Sequence, residues 1–159
     1  NTYLDYRKLG SDRFASMIGA HSLFPDKALV IVTAGTATTI DTLSPDGTFL
    51  GGMILPGLKL MAESLAQNTA QLPDINQMNN ESAVFANNTG DAILSGCLNA
   101  QAGAIERAVM TQSRQFPGVL CLLSGGAARY IAPNLPIPFR IIDNLVLIGL
   151  HTLSVQNIS

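Results

Sequence analysis

Two short clusters combine the residue types that would transfer a phosphoryl group to an alcohol. The first is Gly10, Ser11, Asp12 and Arg13, at the start of a predicted helix. A carboxylate such as Asp12 can take the proton of a hydroxyl group, and the neighbouring Arg13 can hold an anionic substrate through paired hydrogen bonds. The alternative is an acid that favours the helix dipole, followed by a surface arginine.

The second cluster, residues 33–41, lies at the predicted junction of two strands and places Gly35 and Thr36 among further threonines. A glycine beside hydroxyl residues lets backbone N–H groups approach a phosphate closely, and the threonine hydroxyls add donors. The same residues also fit a plain hairpin, because threonine has a good β propensity. Phosphate contact is therefore a hypothesis that composition alone does not decide.

Two further clusters carry weaker signals. Gly125 and Gly126 come between a predicted buried strand and a helix, where glycines would let a flat ring such as adenine lie against the backbone. A Gly-Gly pair at a strand end is nevertheless common. Asn87, Asn88 and Thr89 precede a long predicted helix. They either only cap that helix or also let Thr89 reach a ligand.

The elements that position these clusters follow from hydrophobic periodicity and turn residues. The pattern predicts a helix (11–23), three strands (28–32, 36–43, 48–55), two helices (57–66, 90–115), a strand (119–123), a short helix after 124–128, a strand (139–142) and a helix (144–155). Ser11 is predicted to cap the first helix, and residues 68–88 are predicted to form a long surface loop. A stripe of small residues along helix 90–115 could face a partner helix or its own sheet. A three-stranded antiparallel meander followed by alternating helices and strands is typical of a ribonuclease-H-like α/β domain.

Composition limits the classes of function. The chain has 159 residues, of which 47% are hydrophobic and 13% charged, as expected for one globular domain. Its net charge of −2 argues against nucleic acid or an acidic membrane surface as the main partner. It lacks the ~18 consecutive apolar residues of a membrane span and shows no signal peptide. Cys97 and Cys121 lie in apolar stretches, which predicts core thiols in a reducing, cytoplasmic compartment.

Taken in order, these motifs closely resemble those of the type III pantothenate kinases, also called the Bvg accessory factor family. The resemblance covers essentially the whole chain. It rests on an ordered series of short motifs: Tyr3, residues 9–13 (LGSDR), 35–41 (GTATTID), 51–57 (GGMILPG), 72–73 (LP), 88–93 (NTGDAI) and 124–126 (SGG). Each motif is short, but the series is specific.

The resemblance implies the fold of the acetate and sugar kinase, Hsp70 and actin superfamily, in which two ribonuclease-H-like domains close on ATP. It also implies a homodimer with the pantothenate site near the subunit interface. ATP with Mg²⁺ would be the phosphoryl donor, and Asp12 would accept the proton of the substrate hydroxyl. The residues implied to bind substrate are Tyr3, Gly10, Ser11, Asp12, Arg13 and Thr89. Thr36 matches a contact to the ATP phosphates, and Gly35, Gly125 and Gly126 are added as ATP-binding candidates on their own chemistry.

Two departures from the family pattern matter. Thr33 stands where the family usually has an aspartate that ligates a potassium or ammonium ion, and a neutral hydroxyl is a poorer ligand for a hard cation. We therefore expect no monovalent-cation site and no other metal site. The chain opens on Asn1, and the family's N-terminal Asp-x-Gly-Asn-Thr motif does not precede it. We expect a single domain that forms the second half of a two-domain kinase.

The resulting prediction is ATP-dependent phosphorylation of pantothenate to 4′-phosphopantothenate, the first step of coenzyme A biosynthesis. Three alternatives stay open: a non-catalytic transcriptional accessory protein with this fold, another small-molecule kinase acting on a sugar or an acyl acid, or a scaffold domain that binds no small molecule.

Overall fold

The computed structural model describes residues 9–66 and 84–156. A five-stranded mixed sheet forms the centre of this part of the chain. The strands are β1 (Leu29–Ala34), β2 (Ala37–Leu43), β3 (Phe49–Pro56), β4 (Leu120–Ser124) and β5 (Arg140–Ile141). Their spatial order is β3-β2-β1-β4-β5. The first three strands pair antiparallel, and β4 and β5 continue the sheet in parallel with β1. This is the predicted meander followed by parallel strands, and it confirms the predicted mixed α/β class.

Among the described residues, five α-helices cover the two faces of the sheet. They are α1 (Ser11–Leu23), α2 (Leu58–Ala66), α3 (Thr89–Gln115), α4 (Ala128–Ile131) and α5 (Leu145–Gln156). Because successive side chains of a strand point to opposite faces, β1 contributes to two cores. Leu29 and Ile31 pack with α1 and α5, whereas Val30 and Val32 pack with α2, α3 and α4. The central strands β1, β2 and β4 therefore form a largely buried middle layer, whereas the edge strands β3 and β5 are mostly exposed.

The helices α1 and α5 cross at two glycines. A Cβ added to Gly149 of α5 would lie 1.8 Å from the carbonyl oxygen of Ala15, and one added to Gly19 of α1 would lie 2.4 Å from that of Leu145. Neither side chain could fit, so the two backbones meet directly. The sequence reasoning expected small residues to matter along α3 instead. Of the predicted stripe, Cys97 and Ala108 are buried in the core between α3 and the sheet, and Ile93 and Ala104 are partly buried against it. Ala100 is exposed, so only part of the stripe packs on this sheet.

The predicted helices and strands are confirmed to within two residues at their ends. One local prediction is wrong: the N-cap of α1 is Gly10, and no side chain caps this helix. Ser11 is already the first helical residue, so its hydroxyl lies too far along the helix to cap it. Most of the predicted loop 68–88 lies outside the described residues.

Two further predictions concern the core and the membrane. Cys97 and Cys121 are both buried and unpaired. Burial raises the pKa of both thiols, that of Cys121 to about 12, which is typical of core cysteines. Within the described ranges, no helix has the length and apolar character needed to cross a bilayer.

Candidate active site

An open cleft of about 410 Å³ lies where the start of α1 faces the hairpin between β1 and β2. The two strongest clusters of the sequence, residues 10–13 and the hairpin around Gly35, line the same cleft although more than twenty residues separate them. The lining residues are Gly10, Ser11, Asp12, Arg13, Ser16, Thr33, Gly35, Thr36, Ala37 and Thr39. A carboxylate and a threonine-lined bend thus share one opening.

The first turn of α1 presents Asp12 to solvent at the mouth of the cleft. The Ser11 hydroxyl lies 3.4 Å from Oδ1 of Asp12, a long hydrogen bond that leaves the carboxylate open to another donor. Asp12 is therefore placed as an accessible carboxylate at the mouth of the cleft.

Arg13 turns inward from the same helical turn and pairs with Asp41 of β2. Its Nε donates to both oxygens of Asp41, at 3.1 and 3.2 Å, and Nη2 donates to Oδ1. The two side chains are only 10% and 2% exposed. The guanidinium carbon also lies 5.8 Å from the centre of the Phe49 ring. Arg13 lines the cleft, but part of its hydrogen-bonding capacity is committed to the protein.

Burial is the largest influence on the Asp41 carboxyl. Desolvation raises its pKa above the ordinary value of 3.8, and the hydrogen bonds and charge of Arg13 offset only part of this shift. Gly52 of β3 is the register partner of Asp41. A Cβ on Gly52 would lie 2.3 Å from Oδ1 of Asp41 and 2.8 Å from Nη2 of Arg13. The absence of a side chain at Gly52 therefore makes room for the ion pair.

The β1–β2 hairpin is held in shape by its own backbone and by Gly57, the residue that precedes α2. The N–H of Gly57 donates to the carbonyl of Thr36 at 2.9 Å, and the N–H of Gly35 donates to that of Ala37 at 3.0 Å. A Cβ on Gly57 would lie 2.2 Å from the Gly35 oxygen. Gly35 and Thr36 are exposed. The bend is thus fixed in shape and open to a ligand.

Gly125 and Gly126 lie at the same end of the sheet as the hairpin but do not line the cleft. Gly125 has φ +92°, and a Cβ there would lie 2.4 Å from the carbonyl oxygen of Ala34. The strand end is therefore shaped by glycine's conformational freedom and small size. Gly126 has open space around its Cα, which leaves its surface accessible.

One of the predicted substrate contacts, Thr89, is not among the described residues that line the cleft. Thr89 is the first residue of α3, whose core residues pack on the face of the sheet opposite α1. Asn88 caps that helix by accepting from the N–H of Asp91 at 2.9 Å, so the capping interpretation of this cluster is observed. Tyr3 lies outside the described residues.

The floor of the cleft contains hydroxyls that the sequence reasoning did not single out. Ser16 and Thr39 both line it, and their hydroxyl oxygens are buried without a hydrogen-bond partner. Thr33 lies beside them as the register partner of Thr39. The sequence offered one signal for Ser16: it is a polar residue on the buried face of α1, the helix that starts at the candidate site. No group of three or more His, Cys, Asp or Glu side chains suited to a metal occurs among the described residues.

Solved structures define the class of fold. A conserved protein of Campylobacter jejuni, provisionally described as a Baf family transcriptional activator, matches with a TM-score of 0.63 at 22% identity, over 96% of this chain and 66% of its own. A protein of Sinorhizobium meliloti, provisionally described as a 2-dehydro-3-deoxygalactonokinase, matches with a TM-score of 0.62 at 15% identity, over 90% of this chain and 58% of its own. Both likenesses show the fold alone. They agree with the mixed α/β architecture predicted from the sequence.

Within that class, the chain belongs to the type III pantothenate kinase family, whose pattern matches residues 1–111. A type III pantothenate kinase of Janthinobacterium sp. (strain Marseille) is 59% identical over 99% of this chain and 61% of its own length. One of Herminiimonas arsenicoxydans is 57% identical over 99% of this chain and 62% of its own. The chain therefore spans about three fifths of the length of these relatives.

Proposed function

We propose that the protein containing this chain transfers the γ-phosphoryl group of ATP to pantothenate, giving 4′-phosphopantothenate and ADP at the start of coenzyme A biosynthesis. The observation that carries the proposal is the shared cleft, in which Asp12 and the bend at Gly35 and Thr36 face one space. Membership of the type III pantothenate kinase family supports the choice of substrates.

Asp12 accepts the proton of the primary hydroxyl of pantothenate while that oxygen attacks the γ-phosphorus. The bond from the γ-phosphorus to the bridging oxygen breaks, and ADP leaves with the electron pair. The exposed hydroxyl of Thr36, beside a glycine that lets a ligand approach the backbone closely, is suited to hold the phosphates. In phosphoryl transfer most of the acceleration comes from positioning and electrostatics, so a fixed cleft can supply much of it.

The remaining substrate contacts are part of the proposal. Arg13 offers the edge of its guanidinium that lines the cleft to the carboxylate of pantothenate, while Asp41 holds the group in place. Gly10 and Ser11 bring the backbone close to the acceptor. Tyr3 and Thr89 would complete the acceptor site when the rest of the protein or a second subunit closes on the cleft. Gly125 and Gly126 would lie against the adenine ring.

Metal ions enter the proposal in a limited way. Mg²⁺ would neutralise charge on the ATP phosphates, and it commonly binds through phosphates, water and only one or two carboxylates. Because this proposal keeps Asp12, the exposed carboxylate of the lining, as the proton acceptor, phosphates and water would be the main ligands that the cleft leaves for Mg²⁺. Thr33 offers only a hydroxyl at the position of the family's cation-binding aspartate. We therefore propose that turnover does not require potassium or ammonium.

The test is phosphorylation of isotopically labelled pantothenate by the full-length gene product that carries this chain. Replacing Asp12 by Asn keeps the size of the side chain but removes the proton acceptor, so turnover should fall by about 10²–10⁴-fold. Asp143→Asn, which neutralises an exposed acid outside the cleft, is the matched control. Turnover of Asp12→Asn equal to wild type would remove Asp12 from this role. Absence of product from the wild type would favour the accessory-protein alternative.

We also propose that the protein acts in the cytoplasm as a homodimer, with no nucleic acid or membrane as a partner. The net charge of −2 and the family resemblance support this. Light scattering on the purified full-length protein would measure the subunit number directly.

A further inference from the structure

We infer that Asp41 and Gly52, two residues of the sheet, hold the first turn of α1 in position and thereby place Asp12 and Arg13 in the cleft. They are positioning residues, since they act through Arg13. The kinetic consequence rests on the proposed function, but the structural consequence does not.

The first turn of α1 lacks an N-cap side chain. Its N-cap is Gly10, which has no side chain that could accept a hydrogen bond from the turn. Such a terminus frays unless other contacts hold it. Asp12, the residue whose function depends on this turn, is itself exposed, and its contact with the Ser11 hydroxyl is long.

The ion pair of Arg13 and Asp41 restrains the first turn of α1. Two nitrogens of one planar guanidinium bind two oxygens of one carboxylate, so the contact limits rotation as well as distance. The pair is almost completely withdrawn from solvent and joins residues 28 positions apart. It therefore ties the uncapped turn to the middle of β2.

Gly52 makes this tie possible. It lies directly across from Asp41 on β3, and a Cβ at this position would come 2.3 Å from Oδ1 of Asp41, 2.8 Å from Nη2 of Arg13 and 2.7 Å from the carbonyl oxygen of Ile40. A glycine inside a strand often marks such a close approach. Gly52 belongs to the 51–57 motif, and the space that it leaves open is used by the ion pair as well as by the backbone of β2.

The restraint reaches Asp12 through helix geometry. Neighbouring residues of an α-helix point about 100° apart, so directing Arg13 towards the sheet determines where Asp12 points. Both residues line the cleft with this orientation. Loosening the pair should therefore displace the proton acceptor as well as the guanidinium.

The structural test is amide hydrogen exchange in the full-length gene product. The N–H of Phe14, bonded to the Gly10 carbonyl at 3.0 Å, reports directly on the first turn. In Asp41→Asn and Gly52→Ala its exchange should be about tenfold faster than in wild type, while exchange in α3 stays unchanged. Asp143→Asn and Gly103→Ala are the matched controls, because Asp143 is exposed and Gly103 has open space around it. If Gly52→Ala fails to fold, Arg13→Lys takes its place. This substitution keeps the positive charge but loses the paired hydrogen bonds that the guanidinium makes to Asp41.

The kinetic test separates positioning from a general loss of stability. In Asp41→Asn, kcat/KM for pantothenate should fall by about 10²-fold while KM for ATP stays within about twofold. In an Arg13→Ala background the same change should have no further effect, since the tie is already broken. Wild-type exchange at Phe14 in both sheet variants, or additive kinetic effects of the two substitutions, would overturn the inference. If the wild type makes no phosphopantothenate, the proposed function fails, and hydrogen exchange alone still decides the positioning role.

Discussion

Replacing Gly149 by alanine should destabilise the protein, although the substitution raises helix propensity. The added Cβ would lie 1.8 Å from the carbonyl oxygen of Ala15 and 2.6 Å from its carbonyl carbon, whereas real Cβ atoms essentially never come within 3.0 Å of a neighbour. Both neighbours are backbone atoms, so no side chain can rotate away. The helices α1 and α5 must then separate by roughly 1 Å, which costs about 1–3 kcal/mol of overpacking.

Urea unfolding measures this cost. With a slope of about 2 kcal/mol per molar urea for a domain of this size, a loss of about 2 kcal/mol shifts the midpoint down by roughly 1 M. Gly103→Ala in α3 is the control, because its Cβ would meet nothing within 4 Å. It should gain about 0.5–1 kcal/mol from helix propensity. A Gly149→Ala protein as stable as the control would show that the helices do not meet as closely as described.

Two further predictions concern buried ionisable groups. Since burial raises the pKa of Cys121 to about 12, its labelling by iodoacetamide near pH 8 should be roughly 10³-fold slower in folded than in unfolded protein, as mass spectrometry would show; equal rates would contradict its burial. Asp41 has a pKa raised above 3.8, so it binds its proton more tightly in the folded state and contributes stability at low pH that is lost as the pH rises through the raised pKa. In urea titrations, the free energy of unfolding of wild type minus that of Asp41→Asn should therefore become more positive as the pH is lowered through the raised pKa of Asp41. A difference that does not change with pH would refute the shift.

The secondary structure is largely predictable because its signals are local. The apolar run of β1 and the helical spacing in α3 each depend on neighbouring residues, and both are confirmed. The convergence of residues 10–13 with the hairpin was predicted too, through the ordered motifs of a known family. The geometry confirms that they share a cleft, while the roles of the individual residues stay predictions.

The contacts that organise the site depend on long-range geometry instead. Arg13 could have paired with any of the chain's eleven acidic residues, and only the fold selects Asp41. Asp41 carried a usable signal, since a carboxylate in an otherwise apolar and threonine-rich strand needs a partner once buried. Gly52 carried a signal as well, because glycine weakens a strand unless something comes close to it.

These contacts also explain why stability and the site are linked in this fold. The helix α1 is fixed on one side by Arg13 and Asp41, and on the other by the direct approach of Gly149 to Ala15. Ala15 is three residues from Asp12, less than one helical turn away. Displacing the backbone of α1 at Ala15 therefore also displaces Asp12, the proposed proton acceptor. A substitution in α3 that lowers the free energy of unfolding by the same amount leaves Asp12 in place. Gly149→Ala should consequently reduce turnover under conditions where the protein is still fully folded.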